Sequence, residues 1–176
     1  MKTLRSYLAD LTRQGELLTI GEEVDWDLQA PGISAMAQKT GGPAVQFTNV
    51  KGYPGMSLVG NLLGGPGYIY GYRERRMQGR IALGLGLPKD IYYDDLIETI
   101  TERKTSPVRG VAVDTGPVQE TVIEGDDVDL YKFPIPRLHD RDGGRYLTSH
   151  VVMVRDPETG STNWGIYRLK IGRAHV

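Results

Sequence analysis

The segment DGGRYLTSHVVMVRDPETGSTNWGIYR, Asp142–Arg168, determines the fold expected for the second half of this chain. From Tyr146 to Arg155 successive residues alternate between two faces, and a period of two is the pattern of a β-strand. Neither face is purely apolar. The run is broken at Asp156–Gly160, where a proline and a glycine favour a reversal of the chain. A return strand over Thr162–Leu169 completes a predicted hairpin.

The return strand carries side chains of the types found in binding sites. It presents an amide at Asn163, an indole at Trp164, a bare backbone position at Gly165 and a cation at Arg168. The guanidinium of Arg168 is suited to a carboxylate or a flavin edge, because its planar fork matches planar acceptors. The amide oxygen of Asn163 is a hard ligand that suits Mg, Mn or K ions. The alternative interpretation is an ordinary hairpin with a solvated edge.

The composition is that of a soluble globular protein. Apolar residues make up 39% of the 176 residues, and 21 basic against 22 acidic residues leave a net charge of -1, so nothing in the balance favours nucleic acid or a membrane surface. The absence of cysteine excludes disulfides, thiolate metal sites and cysteine nucleophiles. No apolar run approaches the roughly 18 to 20 residues of a spanning helix, and the charged N-terminus does not resemble a signal peptide. We expect a cytoplasmic protein.

Regular elements are predicted upstream of the hairpin. Apolar residues recur at helical spacing over residues 4–14, with Thr3 as the N-cap and Gly15 as the terminator. Pro31 suits the first turn of a second helix that ends before Gly41. The remaining predicted elements are a strand at Leu17–Ile20, a long-looped hairpin of Ala44–Phe47 and Ser57–Val59, and a helix from about Tyr92 to Arg103.

A glycine-rich segment, Gly64–Gly71, precedes a basic helix that is predicted to begin near Arg73. The segment lacks both the Gly-Lys-Ser/Thr ending of a P-loop and the order of a dinucleotide fingerprint. The helix carries several arginines that form either a solvated face or an anion site, and the solvated face is the expected one: Arg73, Arg75, Arg76 and Arg80.

Residues 108–130 are rich in Val, Thr and Gly without a helical stripe, and two prolines force an extended path just after them. We therefore predict a domain boundary near residue 107, with mixed helix and strand before it and mostly strand after it. The three histidines lack the spacing of helical metal ligands. Asp140–Gly144 is interpreted as a turn, and Ser149 and His150 are expected on opposite faces of a strand.

Three motifs, taken in order, resemble the UbiD-like decarboxylase family: GELLTIGEEVDWDLQAPGI, GGPAVQFTNVKGYPGMSLVGNLLG and DGGRYLTSHVVMVRDPETGSTNWGIYR. The resemblance runs from about residue 3 to residue 169. It implies an α+β fold with an N-terminal α/β domain at 1–107, followed at 108–170 by the start of a split β-barrel like those of flavin reductases. The family's C-terminal domain is not reached.

The resemblance also implies a reaction and a site. Family members use prenylated FMN with a divalent metal, usually Mn2+, and K+ to decarboxylate aromatic or α,β-unsaturated carboxylic acids reversibly and without oxidation. The metal-ligating asparagine of the family falls on Asn163. The residues that line the flavin fall on Ile166, Tyr167 and Arg168, and Arg168 also orients the substrate carboxylate. A flavin prenyltransferase is implied as the cofactor source, and a homo-oligomer is implied for the full-length protein.

The family's general acid and its metal-binding His and Glu lie beyond residue 169 in the family pattern. We therefore expect this chain to be an inactive N-terminal fragment. Its last residues, IGRAHV, are one translation of a common sequencing adapter, which makes 171–176 an expected non-native tail. The alternatives are a non-catalytic ligand-binding or partner subunit of the same fold, and a split-barrel flavin reductase that needs no metal.

Overall fold

A computed structural model describes residues 3–64 and 78–172. Most of the glycine-rich segment and the predicted start of the basic helix, including Arg73, Arg75 and Arg76, lie outside these ranges, as do the last four residues. In the part of the chain that is described, none of the helices has both the length and the apolar character needed to cross a membrane.

The N-terminal helix forms as its capping residues predict. Helix α1 spans Leu4–Arg13, and Thr3 and Ser6 form a reciprocal capping box at its start. Gly15, at φ +69°, terminates it in the left-handed region that glycine adopts without strain. The helix buries Tyr7 and Leu11. Strand β1, Leu17–Ile20, follows at the predicted residues.

The observed bounds of the next elements agree with the predicted bounds within a residue or two. Helix α2 spans Gln29–Lys39, and strands β2, Ala44–Phe47, and β3, Leu58–Gly60, pair antiparallel with Phe47 opposite Leu58. Together β1, β2 and β3 form a sheet in that order. Two further helices follow, α3 at Gly79–Gly84 and α4 at Tyr93–Thr105.

The chain divides into two compact units that are interleaved in sequence. The first comprises Met1–Leu18, Ala37–Ala44 and Asn61–Asp129; the second comprises Thr19–Met36, Val45–Gly60 and Leu130–Val176. The core of the first unit is a cluster of Tyr7, Leu11, Ala44 and Leu83. The domain boundary near residue 107 stays a prediction.

The expectation of mostly strand after residue 107 is wrong for residues 108–145. This stretch contains short 3-10 turns at Pro117–Gln119, Gly125–Asp127 and Leu130–Lys132 and, as described, no strand. Its valines lie in solvent, with Val108 97% exposed. The preference of valine for strands reflects packing on a half-buried pleated surface. Because no neighbouring strand provides that surface here, composition alone misled the prediction.

The hairpin forms, but each of its strands is interrupted. Strands β5, Val152–Arg155, and β6, Thr162–Gly165, pair antiparallel, and strands β4, Tyr146–Leu147, and β7, Leu169–Lys170, pair antiparallel beyond them. The continuous strands predicted for Tyr146–Arg155 and Thr162–Leu169 are therefore wrong at 148–151 and 166–168. With neither face purely apolar, no continuous burial holds a long ribbon in one register.

The reversal between β5 and β6 is made as predicted. The Asp156 carboxylate accepts hydrogen bonds from the backbone N–H groups of Glu158 and Thr159 at 2.8 and 3.2 Å, and these bonds hold the pKa of Asp156 below its ordinary value. Gly160 adopts φ +71°. Asp140 and Arg141 also form the turn expected there, closed by a bond from the N–H of Asp142 to the carbonyl of His139.

Candidate functional site

One face of the β5–β6 ladder carries Asn163. In the observed register Asn163 lies opposite Val154, and Gly165 lies opposite Val152. Because alternate residues of a strand share a face, these four residues lie on one side of the ladder, and Trp164 and Met153 lie on the other. The side chain of Asn163 is exposed and makes no hydrogen bond to any residue in the described ranges. Its amide oxygen is available to a ligand.

Tyr167 folds back over this same face. A Cβ atom added at Gly165 would lie 2.4 Å from Cε2 and 3.0 Å from the hydroxyl oxygen of Tyr167. The ring therefore occupies the space that a side chain at position 165 would fill. The bare backbone position noted in the sequence serves this close approach, and it brings Tyr167 to the face that carries Asn163.

Arg168 lies at the other end of the hairpin. Its guanidinium carbon is 4.4 Å from the centroid of the Tyr146 ring, a cation–π arrangement. Ile166, between the two ladders, is 76% exposed. The structure thus places Asn163 and Tyr167 on one face of β5–β6, and places Arg168 against β4.

An aromatic cage around Arg145 was not foreseen from the sequence. The guanidinium carbon of Arg145 lies 3.5 Å from the ring centroid of Trp26, 5.2 Å from that of Tyr131 and 5.8 Å from that of Tyr53. Arg145 also donates a short hydrogen bond to the Tyr53 hydroxyl. The three rings are far apart in sequence, so no local pattern could have identified the cage.

The carboxylates near this cage are held in ion pairs. Arg137 binds Asp27 through two hydrogen bonds of 2.7 and 3.2 Å, and Lys51 binds Asp25 at 2.9 Å. The backbone N–H of Asp27, followed by Lys51, lowers the pKa of Asp25. A carboxyl group held ionised in this way is a poor proton donor at neutral pH, so Asp25 is not a candidate general acid.

Arg80 corrects the expectation of a solvated arginine face. It is 2% exposed, and its Nη1 atom lies 3.4 Å from Glu16 and 3.0 Å from the carbonyl oxygen of Gly42. Its Nε and Nη2 atoms are buried and have no hydrogen-bond partner among residues 3–64 and 78–172. Burial lowers the pKa of the Arg80 guanidinium, and Glu16 opposes that shift. The other three arginines of the predicted face lie outside the described residues.

His150 lies in the interrupted segment 148–151 and not on a strand, so the expectation that Ser149 and His150 point to opposite faces of a strand does not hold there. Both ring nitrogens of His150 are occluded and have no hydrogen-bond partner in the part of the chain that the structure describes. Among residues 3–64 and 78–172, no three His, Cys, Asp or Glu side chains form a group able to hold a metal ion. The described residues therefore offer a metal one amide ligand, Asn163, and offer a flat ring system the exposed side chains of Ile166 and Tyr167, whereas the exposed Trp164 lies on the opposite face of the β5–β6 ladder.

Two family models match this chain. Residues 8–100 match the family model described as the 3-octaprenyl-4-hydroxybenzoate carboxy-lyase N-terminal domain (UbiD_N), and residues 109–175 match the Rift-related domain of the same enzyme family (UbiD). A pyrrole-2-carboxylic acid decarboxylase from Pseudomonas aeruginosa is 33% identical over 95% of this chain and 33% of its own length. A phenolic acid decarboxylase from a Streptomyces species is 36% identical over 96% of this chain and 35% of its own length.

Solved structures match over the same range. Vanillic acid decarboxylase (ShVdcCD) from Sedimentibacter hydroxybenzoicus, in its open form with truncated ShVdcD, aligns with a TM-score of 0.83 at 30% identity, over 98% of this chain and 36% of that one. The UbiD-class enzyme HmfF from Pelotomaculum thermopropionicum, in an evolved dimeric form solved with prenylated FMN, aligns with a TM-score of 0.74 at 30% identity, over 97% and 36% of the two chains.

The chain spans about a third of the length of these relatives. The α+β fold matches UbiD-class structures over that third, and its described residues form no closed barrel. The two family models together cover most of the sequence, and the mixed helix and strand fold aligns with UbiD-class enzymes. The chain therefore belongs to the UbiD family.

Proposed function

We propose that the protein carrying this chain is a prenylated-FMN-dependent decarboxylase that acts, without oxidation and reversibly, on an aromatic or α,β-unsaturated carboxylic acid. Relatives named as pyrrole-2-carboxylic acid and phenolic acid decarboxylases support the substrate class, and a UbiD-class structure with prenylated FMN supports the cofactor. The observation that carries the proposal for this chain is Arg168. Its guanidinium stacks on a ring and makes no ion pair or hydrogen bond within the described ranges, so its N–H groups are available to a carboxylate.

Four residues of the hairpin have proposed roles. Arg168 binds and orients the substrate carboxylate, because its fork of N–H donors matches two carboxylate oxygens. Ile166, Tyr167 and Arg168 line the flavin. Asn163 supplies an amide oxygen to a divalent metal, Mn2+, with K+ as a second ion. When bound, the prenylated flavin supplies an electron sink that avoids a free aryl or vinyl carbanion.

The remaining parts of the site are proposed to come from elsewhere in the protein. A single ligand cannot enforce metal geometry, so we propose that the general acid and the other metal ligands follow residue 169 in the complete protein. By itself the chain is then inactive and binds cofactor weakly. We further propose domains at 1–107 and 108–170, a non-native tail at 171–176, a cytoplasmic location, a homo-oligomeric full-length enzyme and cofactor supply by a flavin prenyltransferase.

The test uses the full-length reading frame expressed together with a flavin prenyltransferase. Arg168→Ala should abolish decarboxylation while the purified enzyme retains its flavin absorbance, since the change removes the group that binds the substrate carboxylate. Arg155→Ala is the matched control, because Arg155 is also an exposed arginine of the hairpin, but its guanidinium bonds the carbonyl oxygen of Gly160 within its own turn. Decarboxylation at the wild-type rate in Arg168→Ala would refute the assigned role.

The same preparation separates the alternatives. Asn163→Ala should lower the metal content measured by elemental analysis, because it removes one ligand. Flavin and metal bound without turnover of any aromatic or unsaturated acid would favour a ligand-binding subunit. Oxidation of a nicotinamide cofactor without carbon dioxide release would favour a flavin reductase.

A further inference from the structure

The two ladders of the hairpin are not in the same register. The inner ladder pairs Val152 with Gly165, and the outer ladder pairs Leu147 with Leu169. Between these pairs, the four residues 148–151 lie opposite the three residues 166–168. One strand therefore carries an extra residue, which is the count of a β-bulge.

The extra residue decides which face of the hairpin Arg168 occupies. If the register of the inner ladder continued, Arg168 would lie opposite Ser149 and Tyr146 would project from the other face. In the register of the outer ladder, where Tyr146 lies opposite Lys170, Arg168 is a diagonal neighbour of Tyr146 on the same face. The observed distance of 4.4 Å between the guanidinium carbon and the ring centroid agrees with the second arrangement.

The main chain at Tyr146 is held on both sides. The N–H of Tyr146 donates to the carbonyl of Pro136 at 3.0 Å, and Tyr146 pairs with Lys170 in the outer ladder. The preceding side chain, Arg145, is held among three aromatic rings, with its guanidinium 3.5 Å from the Trp26 centroid. These contacts hold the main chain at Tyr146, and the side chain before it, independently of Arg168.

Stacking leaves the chemistry of Arg168 intact. A ring contacts the flat face of a guanidinium, whereas the N–H donors lie in its plane and point outward. A salt bridge would instead consume those donors. A ring is thus a support that fixes the orientation of a guanidinium without competing for the carboxylate.

We propose that Tyr146 is a positioning residue that holds Arg168 in the orientation needed to bind a substrate carboxylate, and that the extra residue in 148–151 exists to bring the two side chains together. The inference rests on the proposed function, because it takes Arg168 as the carboxylate-binding group. Tyr146 acts through Arg168 and does not contact the carboxylate.

The experiment uses the full-length enzyme and measures kcat, KM, the dissociation constant of a non-reacting benzoate-type carboxylate by calorimetry, the flavin content and the melting temperature. Tyr146→Leu should weaken benzoate binding about threefold to fivefold, the loss that corresponds to an exposed cation–π contact. It should lower kcat/KM by at least as much, with flavin content and melting temperature unchanged. Tyr146→Phe should stay within about twofold of wild type, because it keeps the ring face.

A graded series guards against misfolding of the leucine variant. Phenylalanine analogues with one, three and five ring fluorines at position 146 keep the shape of the ring while removing the negative charge from its face. Benzoate affinity should fall step by step along the series. A flat series overturns the proposal, as does a Tyr146→Phe variant that loses as much as Tyr146→Leu. Tyr93→Leu, a surface tyrosine on α4, controls for the loss of a tyrosine alone.

The two proposals fail in distinguishable ways. If Arg168→Ala is inactive and the position-146 series is flat, the proposed function stands and the role of Tyr146 is wrong. If Arg168→Ala decarboxylates and binds benzoate like wild type, the assignment of Arg168 is itself wrong.

Discussion

Neutralising Glu16 should destabilise the chain more than removing the buried arginine that it faces. The Glu16→Gln change keeps the shape and an acceptor oxygen but removes the negative charge beside Arg80. Arg80 is 2% exposed and stays ionised in proteins, so among the described residues its charge is then buried without a carboxylate partner. Replacing Arg80 by methionine has a different effect, because it removes the buried charge together with the two nitrogens that lack partners.

The size of the effect follows from the geometry. At the observed 3.4 Å between Nη1 of Arg80 and Oε2 of Glu16, the attraction is about 5 kcal/mol at an effective dielectric constant of roughly 20. The Glu16 side chain is 26% exposed, so part of this is offset by hydration that the carboxylate regains on unfolding. We expect a net loss of about 2 kcal/mol, which lowers the melting temperature by roughly 4 to 8 °C in a chain of this length.

The arginine variant should lie within about 1 kcal/mol of wild type, because apolar replacement of a buried ion is often neutral or stabilising. Its former partners also keep other contacts. The carbonyl of Gly42 still accepts from Asn61 at 3.2 Å, and Glu16 still pairs with Lys89 at 3.0 Å.

Thermal unfolding of the 176-residue chain, followed by circular dichroism, measures both variants and the double variant. The double variant should resemble Arg80→Met, since Glu16 has no buried charge left to neutralise. An Arg80→Met chain that melts below Glu16→Gln would show that the arginine stabilises the unit by more than its pairing, and would contradict the reasoning.

Gly165→Ala should displace the ring of Tyr167, because the added Cβ would lie 2.4 Å from it. The variant should therefore bind FMN more weakly in a fluorescence titration. Gly110→Ala, where nothing lies within 4 Å of the added Cβ, should leave FMN binding unchanged. Leu11→Ala should cost about 2 to 4 kcal/mol of stability in thermal unfolding, because the side chain is fully buried. The carboxyl of Asp156 should titrate, by NMR, below its ordinary pKa of 3.8. Its contribution to the turn is present above that value and is lost as the pH falls through the lower folded-state pKa.

Short-range sequence signals were enough to predict the elements whose conformation depends on neighbouring residues. The cap at Thr3 and the glycine at position 15 gave α1 to within a residue, and Pro157 with Gly160 gave the reversal of the hairpin. These features depend on a few neighbouring residues whose backbone preferences agree with the fold.

Features that depend on contacts between residues distant in sequence could not be predicted from such local signals. The valines of 108–130 satisfy the composition of strands but have no strand to pair with, and Arg80 resembles a surface residue until Glu16 and Gly42 are brought beside it. The alternating pattern of the sequence does not reveal the extra residue in 148–151, because the segments on both sides of it keep a period of two. The site residues Asn163, Ile166, Tyr167 and Arg168 came from resemblance to a family, and their roles remain predictions.

The cage around Arg145 makes the fluorescence of Trp26 an internal reference for that of the second tryptophan. The chain has two tryptophans: Trp26 is half-buried under a guanidinium, and Trp164 is 68% exposed on the hairpin. The emission of Trp164 should be red-shifted and open to quenching by iodide, while that of Trp26 is shielded. Iodide quenching would therefore separate the two emissions, and the quenched fraction would report the exposure of the hairpin in unlabelled protein.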